Sequence, residues 1–402
     1  MTTARQPHSP LADLDSLTSQ HRKAIGQLRE FARDVIAPTA ARRDGAPLGT
    51  VEWDLVEEAQ ALGGLRMGLP EALGGLGFTA EGLGYTLEEF AAADPGFALI
   101  LGATGLFQTP VMLSNDDRLT SEYLLPFLGD QPILGCNAVA EELNGTDLVL
   151  ATNAEHAVDM TTAVPDGDVY RLTGKKKYIT NAPVARYATV MANIEDHPGS
   201  TGLTCFVVDL QWAGVERGTT HDKLGYRTAP AGELIFNNVE VPAENIIGGP
   251  SGGWDLNTTI GNITRVTCAA IATGIARHSL DHALAWATSR RQGGKFLFEH
   301  QMSARKIADM AASVEASRAL WTKAARLVDN SLPVPEFEPA IAKMVADKAA
   351  IDNANAAMSL IGAQAFQRDD EMERIMRDSF GPRIYEGSPE ALAMTITAHL
   401  CK

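Results

Sequence analysis

Apolar residues recur at helical spacing in the first third of the chain, give way to short alternating runs in the middle, and return to helical spacing toward the end. From 14 to 36, Leu17, Ile25, Leu28, Phe31 and Val35 keep close to one helix face, and Pro38 is expected to stop that helix. Residues 51–66 predict a second helix ending at Gly63-Gly64, followed by a turn-rich loop over 70–77. Helical spacing resumes over 80–128, with breaks expected at Asp94-Pro95-Gly96 and at Thr109-Pro110. Near Gln131 the pattern shifts to strands, predicted at 169–173, 178–180, 188–192, 204–210 and 234–241 between Gly, Asn, Asp and Pro clusters. From Trp254 onward four or five alanine-rich helices are predicted, interrupted at 330–339. The order predicts an α+β fold: an N-terminal α-helical domain (1–130), a small middle β-barrel or β-sandwich domain (131–247) and a C-terminal helical bundle (248–402).

Composition narrows the field of functions. A chain of 402 residues with 45% hydrophobic content can bury large cores in two or three domains. Its formal charge of −16 lacks the basic face that a nucleic-acid partner requires. Cys136, Cys205, Cys268 and Cys401 are too widely spaced for a zinc site or a disulfide framework, which suits a reducing cytoplasm. Residues 1–10 lack the apolar centre of a secretory signal, and no run of about 18 apolar residues is expected to span a bilayer. The expectation is a soluble, cytoplasmic protein with no membrane partner.

Candidate chemistry gathers at a few places. At 383–390, Glu386 follows an aromatic and an aliphatic residue and precedes Gly387, a setting that could shelter a carboxylate base and equally could be a surface turn. Over 174–182 a tight turn runs into a strand with Tyr178 and Thr180 on one face, where a flat cofactor could stack on the ring and take a hydrogen bond from the hydroxyl; a core Tyr and a turn Thr fit as well. Residues 144–147 offer Thr146 and backbone amides to a phosphate, or form a simple Asx turn. His278 and His282 lie four apart on a predicted helix, but no HExxH-type carboxylate accompanies them, and no metal is assigned. The glycines of 248–253 lack the strand–GxGxxG–helix context of a dinucleotide fold. Lys175 to Lys177 are expected in a solvated turn, and Glu88-Glu89 and Asp369-Asp370-Glu371 on exposed faces.

Taken in order, these pieces resemble the acyl-CoA dehydrogenase family over 14–402. Residues 31–38 resemble the end of its first helix, and 70–77 its Pro-Glu-x-x-Gly-Gly-x-Gly loop. Glu141 with 145–147 resembles its Thr-Glu-Pro-x-x-Gly-Ser-Asp segment, 174–182 its Gly-x-Lys-x-x-Ile-Thr-Asn strand, and 222–227 its Lys-Leu-Gly-x-Arg turn. Arg290 stands where that family has an Arg after a long helix, and 384–388 resemble Ile-Tyr-Glu-Gly-Thr.

The resemblance implies a C-terminal four-helix bundle, a homotetramer or alternatively a dimer, and bound FAD. It implies cofactor-binding positions at Val139, Glu141, Thr146, Tyr178, Thr180, Arg290 and Ser388, with Arg290 reaching the cofactor of a neighbouring subunit. Glu386 would be the catalytic base, and Arg265 and Gly387 would be substrate-binding. In the branch that places its base just before the bundle Arg, this chain has Thr264, which cannot serve. The implied reaction removes a proton from the α carbon of an acyl-CoA and a hydride from its β carbon, giving a trans-2-enoyl thioester, with an electron-transfer flavoprotein or another acceptor as second partner. Departures from the family pattern at Ala140, Glu142, Asn262, Gly293, Ser359, Ala363, Ala365 and Ala393 keep three alternatives open. These are the same desaturation on an acyl- or peptidyl-carrier protein, a flavin monooxygenase on the same fold, and a flavin-binding member without turnover.

Overall fold

The structure, a computed structural model, describes residues 16–148, 150, 161–194 and 201–401. The predicted lead at 1–10 and the start of the first helix at 14 lie outside the described residues. Helix α1 (Ser19–Phe31) begins where Thr18 accepts a hydrogen bond from the His21 amide at 3.1 Å, and it buries Ile25, Leu28 and Phe31. Pro38 does not end the helical path as expected. A π-helical turn, Ala32–Ile36, widens the ladder and hands it to α2 (Ala37–Asp44), so the proline occupies first-turn positions that need no N–H donor. After α3 (Trp53–Ala61) come α4 (Ala80–Ala93) and α5 (Pro95–Leu113), separated at Asp94 as predicted. The Asp94 carboxylate caps α5 at the Gly96 and Phe97 amides, and its other oxygen takes the buried Arg43 guanidinium at 2.7 Å. The break expected at Pro110 is absent: the proline sits buried inside α5, where packing outweighs the lost donor. By length and composition α5 could also cross a bilayer, contrary to the sequence expectation. Most of it is buried within the protein. A short α6 (Asp117–Leu119) leads toward the sheet.

The middle segment forms an eight-stranded sheet. Its strands are β1 (Gly135–Ala138), β2 (Thr162–Asp166), β3 (Val169–Thr180), β4 (Tyr187–Ile194), β5 (Leu203–Asp209), β6 (Val215–Thr220), β7 (Ala231–Pro242) and β8 (Ile246–Ile247). They are ordered β6-β7-β3-β2-β4-β5-β8, with β1 parallel to β4. The two pieces predicted at 169–173 and 178–180 are one strand, β3, antiparallel to β7 with register shifts at Leu172/Gly174 and Lys176/Ile179. Strand β6 escaped the reading because it is polar and half exposed at the sheet edge, so it carries no apolar signal.

The C-terminal part comprises α7 (Gly253–Ser289), a hairpin of β9 (Arg291–Gln292) and β10 (Lys295–Phe296), then α8 (Gln301–Asn330), α9 (Phe337–Ile361), α10 (Glu371–Asp378) and α11 (Pro389–Leu400). Its apolar core is continuous with that of the N-terminal helices: one cluster joins Ile25, Phe31, Phe90 and Ala91 to Ile271, Ile275, Trp321 and Ile375. Gly84 on α4 makes this contact possible, because a Cβ there would sit 2.5 Å from the Trp321 ring. The expectation of exposed Glu88 and Glu89 is overturned at the same place. Both are buried, Glu89 bridged by Arg277 at 3.0 and 2.8 Å and Glu88 by Arg318 at 2.6 Å, in charge-assisted pairs between α4 and the bundle. Lys176, expected in a solvated turn, is also buried, 3.0 Å from the Glu141 carboxylate.

Candidate active site

Glu386 lies between the short 3-10 turn Gly381–Arg383 and α11, and both it and Gly387 adopt left-handed backbone, at φ 55° and 97°. For a Glu this conformation costs about 1 kcal/mol or more and persists only where the surroundings enforce it. Those surroundings are visible. The Lys343 ammonium, fully buried on α9, donates to the Pro382 carbonyl at 2.6 Å and the Gly387 carbonyl at 3.1 Å, bracketing the turn from beneath. Asp347 one helical turn on supplies its counter-charge at 2.8 Å, and the Tyr385 ring lies 5.6 Å from the ammonium. Ser388 closes the turn as N-cap of α11.

The carboxylate of Glu386 is held from α7. Its Oε2 accepts the Thr264 hydroxyl proton at 3.0 Å, and its backbone carbonyl faces Arg265 Nε at 3.4 Å. Arg265 is buried and gives its other arm to Asn262 Oδ1 at 2.6 Å. Burial pushes the Glu386 carboxyl above its ordinary value, while Arg265, the Thr264 hydrogen bond and Lys343 pull it back. A carboxylate with burial raising its proton affinity and three groups limiting the rise suits a base that must change protonation state.

The sheet meets this turn through Tyr226. Its amide donates to the buried Asp378 carboxylate at 2.6 Å, and its ring lies 6.1 Å from that of Tyr385. Gly381 lets the ring in, since a Cβ there would stand 2.0 Å from it. Burial raises the Asp378 carboxyl to about 6, with Arg374 and the Tyr226 amide opposing. Arg377 completes the junction by pairing with Asp44 at 2.7 Å and the Leu224 carbonyl at 3.0 Å.

The residues expected to hold a cofactor divide into two groups. Tyr178 is exposed on β3, at φ 67° on the bulge, with Thr180 partly exposed beyond buried Ile179. Thr146 and Gly145 are exposed on their loop, which is joined to β3 where the Lys177 backbone amide donates a hydrogen bond to the Ala140 carbonyl at 2.9 Å. Arg290 is exposed past the end of α7, its guanidinium 5.9 Å from the Trp286 ring. A solvent-exposed aromatic ring, with the His221 ring at 5.2 Å and the Lys177 ammonium at 5.3 Å beside it, together with two hydroxyls and a separate cation, fits a flat ring system carrying a pyrophosphate. Glu141 differs: its carboxylate is buried with Lys176 and the Thr161 hydroxyl, so its side chain shapes the loop from inside. Val139 is partly buried, and its carbonyl takes the Lys176 ammonium at 3.1 Å. Arg265 and Gly387, expected at the substrate, are both buried beside Glu386 and support its backbone. Lys343 and Asp347 were missed; on an alanine-rich helix, the buried Lys at four-residue spacing from an Asp was the available signal.

Comparison with known proteins matches this architecture part by part. The chain matches the acyl-CoA dehydrogenase N-terminal domain over 18–129, the middle domain over 136–239 and the C-terminal domain over 251–401. It is 31% identical to the mouse (Mus musculus) mitochondrial short-chain specific acyl-CoA dehydrogenase over 387 residues, covering 96% of this chain and 91% of that one. With the cyclohex-1-ene-1-carbonyl-CoA dehydrogenase of Geobacter metallireducens it shares 34% identity over 380 residues, covering 94% and 97%. The butyryl-CoA dehydrogenase structure from Megasphaera elsdenii superposes with a TM-score of 0.89 at 30% identity, covering 96% and 99%. With all three domains present and relatives aligned over nearly its whole length, the chain belongs to the acyl-CoA dehydrogenase family, oxidoreductases that dehydrogenate an acyl-CoA across a CH–CH bond.

Proposed function

We propose that this acyl-CoA dehydrogenase uses Glu386 to remove the α proton of a short-chain acyl-CoA. The observation that carries the assignment is the strained, three-way supported turn that presents the Glu386 carboxylate toward Thr264 while burial raises its proton affinity. The short-chain specific and butyryl-CoA names of two relatives support a short acyl chain, and the cyclohex-1-ene-1-carbonyl-CoA name of a third makes a compact cyclic acyl group the competing substrate. FAD fits the exposed Tyr178, Thr180 and Thr146 set, with Arg290 offered to the pyrophosphate of a neighbouring subunit in a homotetramer. Bound there, FAD supplies the hydride acceptor for the β carbon. The protein's own part is to orient the thioester between that face and Glu386, to exclude water, and to move one proton to Glu386. Arg265 fixes the Glu386 backbone, and Lys343 keeps the turn from relaxing.

Asn262, the departure that kept a carrier-protein thioester open, is buried and bonded to Arg265 and so gives that reading no support. Anaerobic bleaching of the flavin absorbance tests the assignment. Purified protein should bleach with butyryl-CoA, and Glu386→Gln should keep its flavin while slowing bleaching by about 10²–10⁴-fold. Undiminished bleaching in the variant removes Glu386 as base, and bleaching only with the acyl group on a carrier protein replaces CoA as substrate. Reoxidation by an electron-transfer flavoprotein, compared with dye and oxygen, identifies the acceptor.

A further inference from the structure

We propose that His278, His282 and Glu371 form a binding site for a divalent transition cation of the zinc class, which fastens the start of α10 to α7. The sequence supplied only the two histidines; the fold brings the Glu371 carboxylate to them from about ninety residues later. One ligand atom each from His278, His282 and Glu371 lies within 4.8 Å of the others. His278 Nε2 is 3.4 Å from Glu371 Oε1, His282 Nδ1 is 4.0 Å from Glu371 Oε2, and His282 Nε2 is 3.7 Å from Asp370 Oδ1. Tetrahedral zinc with bonds near 2.0–2.1 Å sets its ligand atoms about 3.3 Å apart, so His278, His282 and Glu371 reach it by moving inward, with the fourth position left to water. Asp370 Oδ1 instead accepts from the Met372 amide at 2.9 Å as the N-cap of α10. The two rings, four residues apart on α7, are nearly parallel, at 9° with centroids 6.3 Å apart, and so present their edges in one direction.

The protonation pattern is the second observation. His278 Nδ1 lies 2.7 Å from the Ala92 carbonyl, which can only accept, so Nδ1 carries a proton, and in the neutral ring the Nε2 lone pair is the one directed at Glu371. That Nε2 is buried without a hydrogen-bond partner. A neutral imidazole lone pair facing a carboxylate is acceptor against acceptor, and a bound cation between them removes the conflict. A backbone carbonyl holding the far nitrogen is also the usual outer partner of a metal-bound histidine. Arg374 gives Glu371 an equivalent outer contact, donating to Oε1 at 3.1 Å, and leaves Oε2 toward His282. Two imidazoles with a carboxylate select zinc, cobalt or nickel over calcium or magnesium. Fourteen residues of α7 separate His278 from Thr264, roughly 21 Å along the helix axis, so the cation is structural and apart from the chemistry at Glu386.

Tag-free enzyme, stripped with a chelator and titrated with zinc against a chromophoric competitor, tests this directly, with metal content by mass spectrometry and cobalt(II) absorption as the geometric readout. One zinc per chain is expected, with a tetrahedral cobalt spectrum and a raised Tm. His282→Ala and Glu371→Gln, both at partly exposed positions that tolerate change, should each weaken zinc binding at least about 10-fold, while Cys401→Ser leaves it unchanged. Zinc uptake that is equal in His282→Ala and wild type overturns the site. So does the absence of zinc uptake by the wild-type protein, which would leave the cluster an ion pair.

Discussion

The two halves of the candidate site are held by opposite means. Around Glu386, four polar side chains are tied inward: Lys343 to two carbonyls of the turn, Thr264 to the carboxylate, Arg265 to the backbone, and Asp378 to the Tyr226 amide. By contrast, Tyr178 on β3, Thr146 on its loop and Arg290 past the end of α7 are all exposed. A group that must strip a proton from carbon has to be rigid and dry before the substrate arrives. A surface that takes a large cofactor gains its order from that cofactor, so it is built open. On the proposed assignment, the protein sets order in advance on the acid–base side and defers it on the cofactor side.

Substitutions on each side should expose that difference. The largest effect is expected from Glu386→Gln, whose rate loss of about 10²–10⁴-fold in anaerobic flavin reduction should leave Tm nearly unchanged. Next, Lys343→Met strands Asp347 in the interior and should cost about 3–5 kcal/mol by chemical denaturation, and the double change Lys343→Met/Asp347→Leu should recover most of it. If the double variant regains stability without regaining rate, the ammonium matters for shaping the turn beyond its charge balance. Tyr178→Ala should weaken FAD by roughly 10-fold, the scale of one lost aromatic contact, with apoprotein stability within about 0.5 kcal/mol of wild type. A large loss of apoprotein stability there would show that the cofactor side is already ordered on its own.

Thr264→Val gives the smallest and most diagnostic shift. Glu386 must be deprotonated to act, so activity rises with pH through its pKa, which burial already holds above the ordinary value. The Thr264 hydroxyl stabilises the charged form; without it the pKa climbs further, and the acid limb of the pH–rate profile should move to higher pH by about one unit, the worth of one hydrogen bond to a charged group. A limb that stays in place would mean that the limb reports a group other than Glu386.

What the sequence disclosed follows the same division. The Glu386 turn was legible because its residues are contiguous and Gly387 marks the backbone reversal. Tyr178 and Thr180 were legible as a pair off the core, but the bulge between them was not, because nothing local announces a Tyr at positive φ. Lys343 was passed over because the carbonyls it holds lie 39 and 44 residues away. Glu88 and Glu89 read as surface residues because the arginines that bury them come 230 and 188 residues later. Pro38 and Pro110 read as stops because a π turn and tertiary packing override local rules that a linear pattern encodes.

The seating of Trp321 against Gly84 also has a temporal meaning. The face of α4 that receives this ring leaves the ribosome well before its partner exists, with the whole sheet translated in between. At about 5–20 residues per second, the 236 positions between Gly84 and Trp321 leave that apolar groove unfilled for roughly 10–50 s, and Glu88 waits nearly as long for Arg318. The nascent chain must therefore survive a waiting period whose length is fixed by topology, and a chaperone able to shield α4 during it would act at the most vulnerable point in the making of this enzyme.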